Sequence, residues 1–259
     1  ALLESGYKYA MTSNSDNLGA APSARVAGWF AASGAPYAPE LCRRTPADVK
    51  GGHLAVRKSD GRIILRETAQ TPADEMHFFT DQYRHPFFHT NNLWFDLEVL
   101  RDTLAERRGI LGLPLIKNAK TVDPADASSV PVIQLETAMG TAVEAFEGAT
   151  AIEVPRSRFL PVKTTNDLLL LRSDVYEVDD AGLLQMVPER ACTVNLDPRY
   201  YKKIRDFEAR FPHGVPSVRQ AKSLTVEGDW TFGADVVAIG DARVGEAGSP
   251  GEVASGTRL

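Results

Sequence analysis

Cysteine is scarce. Cys42 and Cys192 are the only two in 259 residues, too few and too far apart to suggest a disulfide framework or a zinc site, and the cytoplasm is the natural compartment. No run approaches the roughly 18 consecutive apolar residues that a membrane span needs. Basic excess is missing as well: the formal net charge is −5, which argues against a general nucleic-acid binder. Nor does a Gly-rich phosphate-binding loop with a following Lys occur. What is present, 43% hydrophobic and 24% charged residues, describes a soluble globular chain with a sizeable core, as one large domain or one with a small appendage.

The stretch VPRSRFLPVKTTNDLL, residues 154–169, organises the rest. It sets Arg156, Arg158 and Lys163 among apolar residues and two prolines. Pro155 and Pro161 forbid a helix through its middle, and in an extended segment Arg156 and Arg158 fall on one side. Thr165 or Asn166 then caps the apolar run Leu168–Leu171. Cations beside hydroxyls and a capping turn suit a phosphate; the other reading is a structural loop whose arginines pair with carboxylates.

Elsewhere, residues 7–12 read as a strand ending in a polar cluster that contains Asn14 and Asp16, where α/β sheets place ligands and where Asx-turns also form. Residues 25–33 read as a helix and 37–44 as extended. Strands over 53–57 and 62–66 turn at Ser59–Asp60–Gly61. Ahead of them, Gly51 and Gly52 let backbone approach a ligand, Lys50 stands within reach of a phosphate, and Glu67 follows the hairpin. Thr71–Pro72 opens a helix. His85 and His89 are four apart, but Pro86 keeps them off a shared helical face. Thr90, Asn91 and Asn92 sit inside an aromatic run and need partners, either backbone or sugar hydroxyls. Asp96 caps a helix that ends at Gly109. Leu135, Met139, Val143 and Phe146 repeat at helical spacing and predict a core helix. Residues 176–186 form a second hairpin, and Asp197–Pro198 starts a connector helix with Tyr201, Ile204, Phe207 and Phe211 on one side. From Leu224 the residues fall into hexads with Asp229, Asp235 and Asp241 recurring, the mark of a parallel β-helix. Residues 246–259, rich in Gly and Ser, are expected to be loosely ordered.

Six segments in order resemble the UTP–glucose-1-phosphate uridylyltransferase (UDP-glucose pyrophosphorylase) family of the eukaryote-like type. They are SNSDNLGA at 13–20, DVKGGHL at 48–54, HTNNLW at 89–94, QLETAMGTAVEAF at 134–146, the 154–169 stretch and LTVEGDWTFGADV at 224–236. The resemblance implies a Rossmann-like α/β nucleotidyltransferase domain with a mixed sheet over residues 1–196, a connector over 197–222 and a short left-handed β-helix over 223–259. Its nucleotide-binding loop would lie upstream, so the chain is expected to be the C-terminal portion of a longer enzyme, inactive alone. The implied partners are UTP, glucose 1-phosphate, UDP-glucose and pyrophosphate, with Mg²⁺ as cofactor. Lys163 would be catalytic and Asp16 the metal ligand. Asn14 would contact the nucleotide sugar, and Gly52, Glu67 and Asn91 the glucose hydroxyls. Lys120 matches a family lysine near the site, and Arg156 and Arg158 lie in the signature stretch. The family often has Asn where His89 stands. Related UDP-N-acetylglucosamine and UDP-sugar pyrophosphorylases share the pattern, and a non-catalytic assembly role, with copies associating through the β-helix tail, is the alternative of a different class.

Overall fold

The structure, a computed structural model, describes residues 1–45, 48, 51–68 and 71–259; Lys50 lies outside the described residues. Contacts group the chain into a first unit, Ala1–Ser15 with Ala20–Phe159, and a second, Asp16–Gly19 with Leu160–Leu259.

The first unit contains, in chain order, β1 (Tyr9–Thr12), α1 (Ala24–Ser33), β2 (Tyr37–Arg43), β3 (His53–Val56), β4 (Ile63–Arg66), α2 (Met76–Phe79), β5 (Phe87–Asp96), α3 (Leu97–Glu106), β6 (Leu115–Thr121), β7 (Pro131–Thr137) and β8 (Ile152–Glu153). Four strands form a mixed sheet in the order β1-β5-β2-β8, antiparallel except for the β2–β8 pair. Pairing Tyr37 with Phe95 and Ala38 with Trp94 sends neighbouring residues to opposite faces. Tyr37, Leu93 and Phe95 pack with Val143 and Phe146 on one side. Ala38 and Trp94 pack with Val26 and Phe30 of α1 on the other. Helix α1 is defined by its ends: the Ser23 side chain accepts from Val26 N–H, and Gly34 takes the left-handed conformation at φ 66°. Asp96 caps α3 as its sequence predicts, accepting from Glu98 and Val99 N–H.

Between the pairs Pro39–Leu93 and Leu41–His89, β2 spends one residue, Glu40, while β5 spends three, Thr90, Asn91 and Asn92. Proline has no N–H to give the ladder, and β5 bulges there with Asn91 at φ 63°. A strand that alternates would bury Asn91 or turn it away; the bulge re-aims it.

Two predicted helices do not form in this unit as read. The helix predicted through Leu135–Phe146 is instead strand β7, in an antiparallel hairpin with β6, followed by a 3-10 turn over Met139–Glu144. Val130, Val132 and Ile133 are β-branched, and their pairing with β6 outweighs the helical spacing. Thr71 does not cap a helix: its hydroxyl donates to Glu67 C=O, and Pro72 precedes a single 3-10 turn that leads into α2.

The second unit contains α4 (Thr165–Arg172), β9 (Tyr176–Val178), β10 (Leu184–Met186), β11 (Thr193–Leu196), α5 (Pro198–Tyr201), α6 (Ile204–Arg210), β12 (Ser217–Val226), β13 (Trp230–Phe232), β14 (Val237–Val244) and β15 (Gly251–Val253). Strands β9 and β10 form the expected hairpin. The connector helix breaks in two: Tyr201, Phe207 and Phe211 enter the core, whereas Ile204 is exposed. Strands β11, β12 and β14 run parallel, as do β13 and β15. Leu224 pairs with Ala242, eighteen positions or three hexads later. Residues 246–259 are ordered into this stack, because β15 pairs with β13 and Ile239 N–H donates to Leu259 C=O.

Candidate functional site

In the first unit, the β3–β4 register sets Gly52 opposite Glu67, one pair beyond His53–Arg66. A Cβ built on Gly52 would lie 2.6 Å from the Glu67 carboxylate oxygens, so any side chain there would push that carboxylate from its place. Among the described residues no hydrogen-bond donor reaches the Glu67 carboxylate, and burial raises its pKa above the ordinary value. A half-buried acceptor without a donor is suited to a ligand hydroxyl. His89 N–H donates to Gly52 C=O at 2.7 Å, and the His89 Nδ1 accepts from Asn91 N–H at 3.1 Å. Asn91, turned by the bulge, donates through its amide to Asn14 Oδ1 at 2.6 Å. Gly52, Glu67, Asn91 and Asn14 are thus brought into one cluster around His89.

Thr90 and Asn92 take the other option that their sequence left open. The Thr90 hydroxyl donates to Glu40 C=O, and the Asn92 amide to the Glu40 carboxylate and Arg158 C=O. His85 and His89 part company: His85 stacks on His53 at 3.9 Å between ring centroids.

The two arginines of the central stretch are engaged by carboxylates. Residues Arg156–Arg158 form a 3-10 turn after Pro155 rather than an extended run, so the pair does not share a side. Arg156 grips Asp48 with both terminal nitrogens, at 2.8 and 3.0 Å, and lies over the rings of Phe88 and Phe159. Arg158 grips the fully buried Glu40 through Nε and Nη2, both at 2.7 Å, and donates to Ala21 C=O. Trp94 Nε1 and the Asn92 amide complete the Glu40 shell. Bidentate pairing of this kind fixes geometry. It places both arginines as holders of the segment that leads to Lys163. Lys120 is exposed on β6 across from Val132, and no hydrogen bond or ion pair among the described residues joins it to the cluster.

In the second unit, Asp16 and Lys163 come together through the backbone. Asn17 bridges Pro161, and Val162 N–H donates to Asp16 C=O at 2.9 Å. The Asp16 Oδ1 atom is buried and has no hydrogen-bond partner among the described residues. Lys163 is exposed, and its ammonium makes no ion pair among the described residues. Its backbone N–H donates to Asp167 Oδ2, the oxygen that also serves the capping box of Thr164. The cap is therefore Thr164, one residue before Thr165 and two before Asn166; Asn166 instead accepts from Leu196 N–H.

Residues 1–238 match the family model of UTP–glucose-1-phosphate uridylyltransferase. The chain belongs to that family. A uridylyltransferase of this name from Encephalitozoon cuniculi is 40% identical over 92% of the chain and 47% of its own length. The Saccharomyces cerevisiae relative is 38% identical over 93% of the chain and 47% of its length. Among solved structures, UDP-glucose phosphorylase from Trypanosoma brucei superimposes with a TM-score of 0.87 at 43% identity, covering 100% of this chain and 56% of that one. A Leishmania major UDP-glucose pyrophosphorylase mutant, solved in complex with UDP-glucose, gives 0.83 at 43% identity over 100% and 57%. The chain spans about half the length of the curated relatives it matches.

Sequence reasoning missed two members of this cluster. Gly140 is one: a Cβ there would come within 2.7 Å of Leu65 and 2.9 Å of the His89 ring. The His89 ring is the other. The small residues of the QLETAMGTAVEAF segment were visible, but the neighbour that requires one of them was not.

Proposed function

We propose that the protein transfers uridylyl from UTP to glucose 1-phosphate, giving UDP-glucose and pyrophosphate, and that it does so in the cytoplasm. The observation that carries this reading is the cluster of Glu67, Gly52 and Asn91, polar groups prepared for hydroxyls in a chain of a uridylyltransferase family. A sugar-phosphate oxygen attacks the α-phosphorus in line, a new P–O bond forms, and the bond to the bridging oxygen breaks as pyrophosphate leaves. The reaction asks the protein for positioning and charge neutralisation. Glu67 accepts from glucose hydroxyls, Asn91 and the Gly52 backbone hold the ring, and Asn14 meets the nucleotide sugar. Lys163 balances charge on the phosphates.

Asp16 fits a cation, since its buried Oδ1 is an acceptor that nothing among the described residues satisfies. Among the described residues no group of three His, Cys, Asp or Glu side chains surrounds a metal position, so substrate phosphates and water would complete the shell, as Mg²⁺ prefers. Mg²⁺ bound there would neutralise phosphate charge and orient its oxygens. Asp16→Asn is expected to weaken the Mg²⁺ dependence of the rate sharply while the melting temperature stays put; unchanged Mg²⁺ activation would reduce Asp16 to a turn residue.

The parallel stack in the second unit supports a β-helix, which we take to be left-handed as in the family, with its free edge open to a second copy. No helix among the described residues is long and apolar enough to cross a membrane.

The test of the whole reading is pyrophosphate release by the full-length protein from UTP and a panel of sugar 1-phosphates. Glucose 1-phosphate is expected to be preferred. In Glu67→Gln its KM is expected to rise about tenfold, a loss of roughly 1–2 kcal/mol, with the KM for UTP moving far less. Equal rises in both KM values, or a better rate with another sugar phosphate, would overturn the assignment.

A further inference from the structure

His89 has three attachments that meet in one ring and its backbone. Its own N–H holds the Gly52 carbonyl. Its Nδ1 accepts the Asn91 N–H. Its ring edge lies where a side chain on Gly140 would otherwise stand. Because Nδ1 accepts, the ring proton sits on Nε2, and that atom is buried without a partner among the described residues. Burial lowers the His89 pKa to about 4, so the ring stays neutral near pH 7 and Nδ1 remains an acceptor. An imidazole that leaves a buried donor unsatisfied is a costly filler for a strand position. Asn91, meanwhile, holds a left-handed φ of 63° in mid-strand, a conformation that asparagine accepts more readily than other side chains but that breaks the strand's alternation and needs its N–H held elsewhere.

We propose that His89 is a positioning residue of the sugar site: its Nδ1 holds the Asn91 backbone in the bulged conformation, and its packing against Gly140 keeps Asn91 and Gly52 in one arrangement toward the sugar. This rests on the reading of the cluster as the glucose 1-phosphate site. His89 need not touch substrate; it acts through Asn91 and Gly52.

Three substitutions in the full-length protein separate the two ring nitrogens. In His89→Asn the amide oxygen lies close to the place of Nδ1 and can accept the Asn91 N–H, while the outer part of the ring is gone. In His89→Gln the amide reaches toward the place of Nε2 and leaves that of Nδ1 without an acceptor. His89→Ala removes both. The expected result is a KM for glucose 1-phosphate raised about tenfold in His89→Ala and His89→Gln and largely recovered in His89→Asn, with the KM for UTP within about twofold throughout. Dissociation constants for UDP-glucose, measured by calorimetry, are expected to follow the same order. If His89→Ala does not fold, the Asn and Gln variants carry the comparison.

Recovery by Gln instead of Asn, wild-type values in all three variants, or parallel rises in both KM values would overturn the proposal. A wild-type protein that binds UDP-glucose without turning over the substrates would sink the assigned reaction and leave the binding order to decide on His89. A wild type that neither binds nor turns over would overturn both.

Discussion

Lys163→Ala is expected to lower kcat about 100-fold or more while leaving the fold intact. The magnitude follows from what the residue does not do in the folded chain. Its ammonium is exposed and pairs with no carboxylate among the described residues, so it contributes nothing measurable to packing. Its backbone, by contrast, is tightly held: Lys163 N–H donates to Asp167 Oδ2, and the preceding Val162 N–H donates to Asp16 C=O. With its backbone fixed and its ammonium unengaged among the described residues, the side chain is available to a phosphate that gains charge in the transition state, which is the role proposed for it. Lys163→Arg keeps the charge but changes reach and shape, and is expected to recover only part of the rate. The check is kcat together with a urea unfolding curve for each variant. A Lys163→Ala enzyme at full rate would return the stretch to a structural loop.

Arg158→Met is expected to cost about 3–5 kcal/mol of stability. Glu40 is fully buried, and Arg158 supplies two of the four hydrogen bonds to its carboxylate. Removing the guanidinium strands an anion inside the sheet, in the gap that creates the β5 bulge. Removing both charges is different, because a neutral pair avoids the uncompensated ion. Glu40→Gln combined with Arg158→Met is therefore expected to recover a good part of the loss. Denaturant midpoints of the two single variants and the double variant measure this. An Arg158→Met protein as stable as wild type but with weakened UTP binding would make Arg158 a phosphate ligand.

The elements that could be read from sequence are those whose signal is local. The Ser59–Asp60–Gly61 turn and the Asp96 cap announce themselves within a few residues and each formed, and the hexads correspond to parallel pairing between β12 and β14. The β7 strand did not announce itself. Its Leu135 shares a helical period with Met139, Val143 and Phe146, but only the last two reach the core, and Leu135 is exposed in a hairpin decided by its partner β6. The fates of Arg156 and Arg158 were illegible for a related reason, since Asp48 and Glu40 lie more than a hundred residues away in the chain. Of the candidate residues, the structure sets Gly52, Glu67 and Asn91 near one another and Asp16 beside the Lys163 segment, as their motifs invited. The sequence was opaque at His89, where one proline in β2 and a bulge in β5 turn a strand residue into the hub of the cluster.

The parallel stack of the second unit has a modular length. Leu224 to Ala242 and Val226 to Val244 are each offset by eighteen positions, whereas Trp230 to Gly251 and Phe232 to Val253 are offset by twenty-one. The three additional residues fall between β14 and β15, where Glu246 meets Arg199 and the Ser249 hydroxyl accepts from Asp229 N–H. The corner thus absorbs an insertion that the straight segments on either side never register. Gene segments that encode such a rung can be duplicated in tandem, and each copy would extend the stack by one layer while the apolar column of Leu224, Ala242 and their successors stays in line. Changes in the number of paired strands would then lengthen the stack within the second unit alone, leaving the tail free to evolve at a different pace from the chemistry.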